Sequence, residues 1–158
     1  MTGEECIAAA RQFLALFDRA EGPVSLTTLE RMLDRLTFAA THVQPEFDER
    51  EWPDPPRRGM AAYDARRAAA VRCFPSLGFY SVADPLAEPG EKCEPLVGDA
   101  IDDLADIACD LQEVIWRWEN TSREDAIWLF RFNYRTHWGE HARQLQVYLH
   151  ALLRSEVE

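Results

Sequence analysis

The sequence predicts one all-α domain over residues 1–158, a bundle of about five helices with two long proline-rich loops. Apolar residues recur at spacings of three and four in five segments, which is typical of amphipathic helices. No segment alternates β-branched and polar residues as strands do. The chain has 158 residues, of which 47 % are apolar. This length and this apolar fraction are sufficient for a self-sufficient buried core.

The N-terminal half contains three of the predicted helices. The first two span residues 4–20 and 25–42, and each carries its apolar side chains on one face. A glycine–proline pair follows the first helix and ends it. The third helix spans residues 60–74, is rich in alanine and arginine, and stops before Pro75.

The C-terminal half is predicted to form two long helices, over residues 98–119 and 122–154. Ser122 is suited to cap the last helix, because its hydroxyl oxygen can accept a hydrogen bond from a free backbone N–H of the first turn. Short connections make consecutive helices antiparallel neighbours. We therefore expect the two helices to form a hairpin about residues 120–122.

Two proline-rich loops, residues 44–59 and 75–98, interrupt the helices. Long loops without regular structure are uncommon in compact domains, so each is expected to be functional or held in place by its aromatic residues. Phe47 and Trp52 are suited to dock the first loop onto the helices. The alternative is that the acidic and aromatic segment 46–52 presents them to a partner.

The charge balance narrows the classes of partner. Seventeen Lys and Arg residues against 28 Asp and Glu residues give a formal net charge of −11. Nucleic acids and anionic membranes both attract clustered positive charge, so we expect neither as a partner. No apolar stretch approaches the ~20 residues that span a bilayer, and no secretory signal begins the chain, so we predict a cytoplasmic protein.

Motifs for nucleophilic or nucleotide chemistry are missing from the sequence. It has no phosphate-binding glycine loop, no dinucleotide fingerprint and no G-x-S-x-G segment. The four cysteines form no C-x-x-C pair and are expected to be reduced thiols. Cys93 lies in a loop between Glu91 and Glu94, whose charges oppose formation of a reactive thiolate.

Acidic residues on the predicted helix over 98–119 form one face of it. Six of them fall within an arc of about 100°: Asp99, Asp102, Asp103, Asp106, Asp110 and Glu113. The simplest interpretation is a solvated face opposite the core. However, Asp is a poor helix former, and Asp106 and Asp110 lie beyond the first turn, where the helix dipole favours acids. The alternative is that they hold a metal ion, an arginine or a backbone group.

Two histidines on the final predicted helix suggest what the acids contact. His137 and His141 are four residues apart and project from one face, a spacing at which two imidazoles can share a metal ion. A hairpin about residues 120–122 brings Asp103 and Asp106 level with them. The first hypothesis is therefore a divalent-metal site formed by these two histidines and two carboxylates.

The second hypothesis for the same region is structural. The hairpin also places Arg131 and Arg135 near Asp110 and Asp106, which permits an Asp–Arg–His hydrogen-bond network without a metal ion. Gly139 would let another part of the chain approach closely, at a cost in helix propensity of about 1 kcal/mol.

Three stretches of the chain carry a family resemblance. They are the run GDAIDDLADIACDL at 98–111, the motif HWGEH at 137–141 following Trp128, Phe130 and Phe132, and the segment FPSLGFY at 74–80. Together they resemble an uncharacterised bacterial family, domain of unknown function 5063, over roughly residues 60–153. The resemblance implies a compact helical protein of bacterial origin, and it implies no activity, cofactor or catalytic residue.

These observations lead to three functional hypotheses. The first is a non-catalytic protein-interaction module whose partner has a basic surface, because complementary charge favours encounter. The alternative is a metal-binding bundle, including a metal-assisted hydrolase, that uses the His and Asp cluster. The third is a bundle that oligomerises through its last helix, so the sequence leaves the oligomeric state open.

Overall fold

Six α-helices and one small sheet make up the computed structural model, which describes residues 1–18, 22–56, 59–88, 90 and 96–155. The first three helices are α1 (Gly3–Leu14), α2 (Leu26–His42) and α3 (Met60–Cys73). Two strands follow, β1 (Phe79–Val82) and β2 (Leu96–Asp99). The last three helices are α4 (Ala100–Asn120), α5 (Arg123–Thr136) and α6 (Trp138–Ser155).

The predicted helical class is confirmed, but the final helix is two helices, so the bundle has six rather than about five among the described residues. The break falls at His137, whose backbone (φ −148°, ψ −88°) leaves the helical region. Its N–H closes α5 on the carbonyl of Asn133. At Gly139, an added Cβ would lie 2.0 Å from the carbonyl oxygen of Tyr134, so the close approach of the two helices requires glycine.

The all-α prediction also missed a two-stranded antiparallel sheet within the second loop. β1 pairs with β2 in a register that joins Phe79 to Asp99 and Tyr80 to Gly98. Each strand has four residues, too few for the alternation of a strand to be detected in the sequence. Residues 89 and 91–95, which include Cys93, lie outside the described part of the chain.

Capping residues explain where the helices begin. The predicted cap of α5 is confirmed, because the Oγ of Ser122 accepts a hydrogen bond from the N–H of Asp125 at 3.0 Å. Ser25 caps α2 in the same way, through the N–H of Thr28. The first helix was predicted to reach residue 20, but α1 ends at Leu14 and the chain continues in turns.

Helix α4 lies at the centre of the bundle and contacts α1, α3, α5 and α6. The largest fully buried side chains surround it and its neighbours, and they include Phe13, Phe17, Phe74, Phe130 and Trp138. Each such side chain contributes roughly 1.5–3 kcal/mol of burial free energy. Because α4 is covered on several sides, its acidic face is packed against other helices. Within the described residues, no helix is long and apolar enough to cross a membrane.

The first proline-rich loop is attached to the start of α5 through Asp48. The carboxylate of Asp48 accepts hydrogen bonds from Ser122 at 2.5 Å, from Arg50 at 2.9 Å and from the indole N–H of Trp52 at 2.8 Å. Phe47 contacts α5 edge-on, with its ring centroid 6.2 Å from that of Trp128. The hydrogen bonds from Arg50, Ser122 and Trp52 hold the pKa of Asp48 well below its usual range.

Replacement of Gly139 tests the close approach at the helix break. We expect Gly139→Ala to destabilise the protein by about 1–3 kcal/mol in urea unfolding, because overpacked positions typically cost that much. The matched control is Gly78→Ala, since a Cβ there meets nothing within 4 Å. Equal free energies of unfolding for the two variants would contradict the assigned role of Gly139.

Replacement of Asp48 tests the attachment of the loop. Its lowered pKa means that the ionised carboxylate stabilises the docked loop above the unfolded pKa of about 3.9 and loses that effect as the pH falls through the folded value. At neutral pH we expect Asp48→Asn to accelerate tryptic cleavage after Arg50. Glu49→Gln, an exposed acid of the same loop, is the control. Cleavage of both variants at the wild-type rate would show that Asp48 does not hold the loop.

Candidate metal centre

Helix α4 directs three carboxylates toward the junction of α5 and α6. Asp103, Asp106 and Asp110 lie at positions i, i+3 and i+7, which share one face of a helix. His137 lies at the junction itself and His141 lies one turn into α6. The break at His137 therefore brings both imidazoles to the acidic face of α4.

Each imidazole uses its Nδ1 atom to contact a different carboxylate. Nδ1 of His141 lies 2.7 Å from Oδ1 of Asp103, and Nδ1 of His137 lies 2.8 Å from Oδ2 of Asp110. Since an ionised carboxylate only accepts hydrogen bonds, we assign the ring proton of each histidine to Nδ1. The lone pair of each ring is then on Nε2.

Asp106 faces the other side of the His141 ring. Its Oδ2 lies 3.7 Å from Nε2 of His141, and the two imidazole rings are perpendicular with centroids 5.0 Å apart. One possible ligand atom from each of Asp106, His137 and His141 lies within 4.8 Å of the others. Donor atoms on one Zn²⁺ ion about 2.1 Å away are roughly 3.0–3.4 Å apart. If side-chain rotation moved the donor atoms closer by about an ångström, the three groups could bind one ion.

Asp103 contacts the Nδ1 side of the His141 ring, whereas Asp106 lies on the Nε2 side. The residue is 6 % exposed, and its second oxygen accepts a hydrogen bond from the hydroxyl of Tyr80 at 2.5 Å. Both carboxylate oxygens are thus engaged by protein donors. Of the four ligands predicted from the sequence, Asp103 alone faces the Nδ1 side of an imidazole, where it can orient the ring.

Burial makes negative charge costly in this cluster. Burial is the largest of the effects that raise the pKa values of Asp106 and Asp110 above the ordinary value of a carboxyl group. The hydrogen bond to Asp103 raises the pKa of His141. A bound cation would favour the ionised carboxylates and offset the cost of their burial.

The described ion pairs do not include the arginine contribution to the network that the sequence predicts. Within the described residues, no ion pair joins Arg131 or Arg135 to Asp106 or Asp110. The guanidinium of Arg131 lies 5.7 Å from the ring centroid of Tyr134, and Arg135 is exposed. The prediction assumed one continuous helix, whereas the break at His137 presents histidines to α4.

Phe47 and Trp52 belong to a different surface. Their ring contacts are with Trp128 and Arg50, at the first proline-rich loop and the start of α5. Neither residue is among the described contacts of the histidine cluster.

Sequence reasoning missed the two tyrosines that contact acids of α4. Tyr80 of β1 donates to Asp103, and Tyr63 of α3 donates to Asp102. Helical spacing relates residues within one helix, so it gives no signal for a partner on a strand or on another helix. A further cross-contact joins Arg67 of α3 to Asp99 at 3.2 Å.

Comparison with known proteins identifies the family. The family model for DUF5063, a domain of unknown function, matches residues 3–155, so the chain belongs to this family. The fold of this chain is similar to that in the crystal structure of protein BF1032 from Bacteroides fragilis, with a TM-score of 0.74. The two sequences are 19 % identical, and the match covers 94 % of this chain and 89 % of that one. No curated protein shows a significant match.

Proposed function

We propose that this protein is a divalent-metal-binding helical bundle whose ion is held by Asp106, His137 and His141. One observation carries the proposal: each histidine contacts a separate aspartate through Nδ1, so that Nε2 is left as the donor atom for an ion beside Asp106. Two imidazoles and one carboxylate are a ligand set that zinc and non-haem iron both accept.

The Nδ1 contacts match what metal-bound histidines need. Such a histidine almost always donates its other ring N–H to a carboxylate, a carbonyl or a water molecule, which fixes the ring and raises its basicity as a ligand. Asp103 and Asp110 supply this acceptor for His141 and His137 respectively. A purely structural role for His141 would be satisfied by Asp103 alone, and it gives no reason for a second, partly buried carboxylate at Nε2.

The proposed site is open, which supports metal-assisted hydrolysis as its reaction class. Asp106, His137 and His141 would leave coordination positions for water or substrate, and a bound divalent ion would supply Lewis-acid activation of a water molecule. The side chain of His137 is 48 % exposed, so a substrate can approach the ion from that side.

Metal titration of protein prepared without a histidine tag tests the proposal. We expect one Zn²⁺ or Co²⁺ per chain, and we expect His141→Gln and Asp106→Asn each to weaken binding by more than about 100-fold, beyond the usual effect of an outer-shell partner. At an ion concentration near 100 times Kd, binding should stabilise the fold by about 2.7 kcal/mol.

Two replacements serve as controls for those variants. His150→Gln removes an exposed imidazole of α6, and Asp102→Asn changes a carboxylate of α4 that contacts Tyr63 and neither histidine. His150→Gln should bind the ion as the wild type does, and Asp102→Asn should weaken binding far less than Asp106→Asn. The proposal fails if the wild type binds no ion, or if His150→Gln weakens binding as much as His141→Gln.

A second candidate function, as a protein-interaction module, has support from an aromatic surface patch. Phe47 stacks edge-on against Trp128, and Trp128 stacks on Phe132 with centroids 4.8 Å apart. Phe47 is 71 % exposed and Phe132 is 46 % exposed. Three exposed acids lie near Phe47 along the loop, Glu46, Glu49 and Glu51, and we take them as the rim of the patch. An apolar patch with an acidic rim fits a protein partner with a basic surface, in preference to nucleic acid or an anionic membrane.

We also propose a cytoplasmic location. The buried cysteines Cys6 and Cys73 form no disulfide bond, and reduced thiols are typical of proteins in that compartment.

Variants of the patch test the interaction hypothesis. Phe47→Ser should abolish retention of a basic partner protein on the immobilised chain, and raised salt should weaken it, because the rim charges are exposed and screened. Phe38→Ser is the control, since Phe38 is 54 % exposed on α2 and stacks on His42 outside the patch. Loss of the partner from Phe38→Ser and retention on Phe47→Ser would refute the role of the patch.

A further inference from the structure

We propose that the β1–β2 hairpin positions the metal ligand His141, and that it does so through Tyr80 and Asp103. This inference rests on the proposed metal site and adds a part of the fold that contributes no ligand. Tyr80 is a positioning residue here, because it contacts Asp103 and not the site of the ion.

The contacts form a continuous chain from the hairpin to the imidazole. The hydroxyl of Tyr80 donates to Oδ2 of Asp103 at 2.5 Å, and Oδ1 of Asp103 lies 2.7 Å from Nδ1 of His141. Asp103 is 6 % exposed, so water has little access to either oxygen. Two donors on opposite oxygens fix the plane of the carboxylate, and the carboxylate in turn fixes the plane of the imidazole.

Tyr80 is itself held on two sides. It pairs with Gly98 across the sheet, and its ring lies so close that a Cβ on Gly98 would be 2.5 Å from it. The opposite contact is with Tyr148 of α6, whose ring is nearly parallel with its centroid 4.7 Å away. The ring is thus clamped between the hairpin and the helix that carries His141. Burial raises the pKa of Tyr80 well above its usual range, so its hydroxyl remains a donor at neutral pH.

The second imidazole lacks this support. Among the described contacts, Asp110 receives a hydrogen bond from His137 and from no tyrosine. A change in the hairpin should therefore alter the orientation of the His141 ring and not that of His137. The His137 ring then serves as the internal reference in the experiment.

Removal of the Tyr80 hydroxyl should loosen His141. Tyr80→Phe keeps the ring and its stacking but leaves Oδ2 of Asp103 without a donor in a buried position, where an unpaired acceptor is costly. The carboxylate of Asp103 is then held by Nδ1 of His141 alone, so its plane is no longer fixed from two sides. The ring of His141 is no longer fixed with Nε2 toward the ion.

Co²⁺ titration of the full chain, followed by its ligand-field absorption, tests this positioning role. We expect Tyr80→Phe to weaken Co²⁺ binding about 10-fold, the lower end of the range for outer-shell partners, and to change the absorption band. The control is Tyr63→Phe, which removes the same type of Tyr–Asp hydrogen bond from the neighbouring residue Asp102. Its affinity should fall clearly less than that of Tyr80→Phe, because neither Tyr63 nor Asp102 is hydrogen-bonded to a histidine. In an Asp103→Ala background, which removes both hydrogen bonds of that side chain, Tyr80→Phe should have no further effect.

The outcomes separate the two proposals. If the wild type binds no Co²⁺, the metal site fails and the positioning role falls with it. If the wild type binds Co²⁺ and Tyr80→Phe behaves as Tyr63→Phe does, the metal site stands and the role of the hairpin is overturned.

A measurement on the metal-free wild type keeps the inference testable even if Tyr80→Phe does not fold. The ¹⁵N resonances of the imidazoles report which nitrogen of each ring carries the proton. We expect the Nδ1–H form for His141, and in Tyr80→Phe a shift toward mixed forms for His141 with His137 unchanged. At a pH where the imidazole of His141 is neutral, a proton on Nε2 with Nδ1 unprotonated in the wild type would overturn the inference.

Discussion

The pairing of the α4 carboxylates with the imidazoles of His137 and His141 constrains this part of the fold. Asp103 is buried, and a buried carboxylate without a partner would destabilise the protein strongly. The histidines reach the acids because the helix breaks at His137, and the break needs glycine at position 139 next to the carbonyl of Tyr134. The acidic face, the break and the glycine are therefore parts of one arrangement.

Most helices could be predicted from the sequence because apolar spacing and capping residues both mark them. The start of α5 after Ser122 shows this, since the cap and the first apolar turn agree. The break at His137 was harder to predict, because Gly139 is the local signal for it and an isolated glycine is tolerated within helices. The β1–β2 hairpin was missed because Tyr80 and Gly98 are paired by a contact between distant residues.

The site was predicted in part. The predicted hairpin placed Asp103 and Asp106 level with His141, and they lie 2.7 and 3.7 Å from its ring nitrogens. The break at His137, which turns the histidines toward these acids, was not part of that prediction. It could not tell which imidazole nitrogen each acid faces, because that depends on side-chain rotation. This rotation separates Asp103, which orients a ring in our proposal, from Asp106, which binds the ion.

The central claim is that one divalent ion binds between Asp106 and the Nε2 atoms of the two histidines. Anomalous diffraction from crystals of the full chain grown with Zn²⁺ tests it most directly. Our account predicts one anomalous peak between about 2.0 and 2.2 Å from Nε2 of His137, Nε2 of His141 and a carboxylate oxygen of Asp106. Asp103 and Asp110 should remain on the Nδ1 atoms. Coordination through Nδ1 or through Asp103, or no peak beside these residues, would contradict the account.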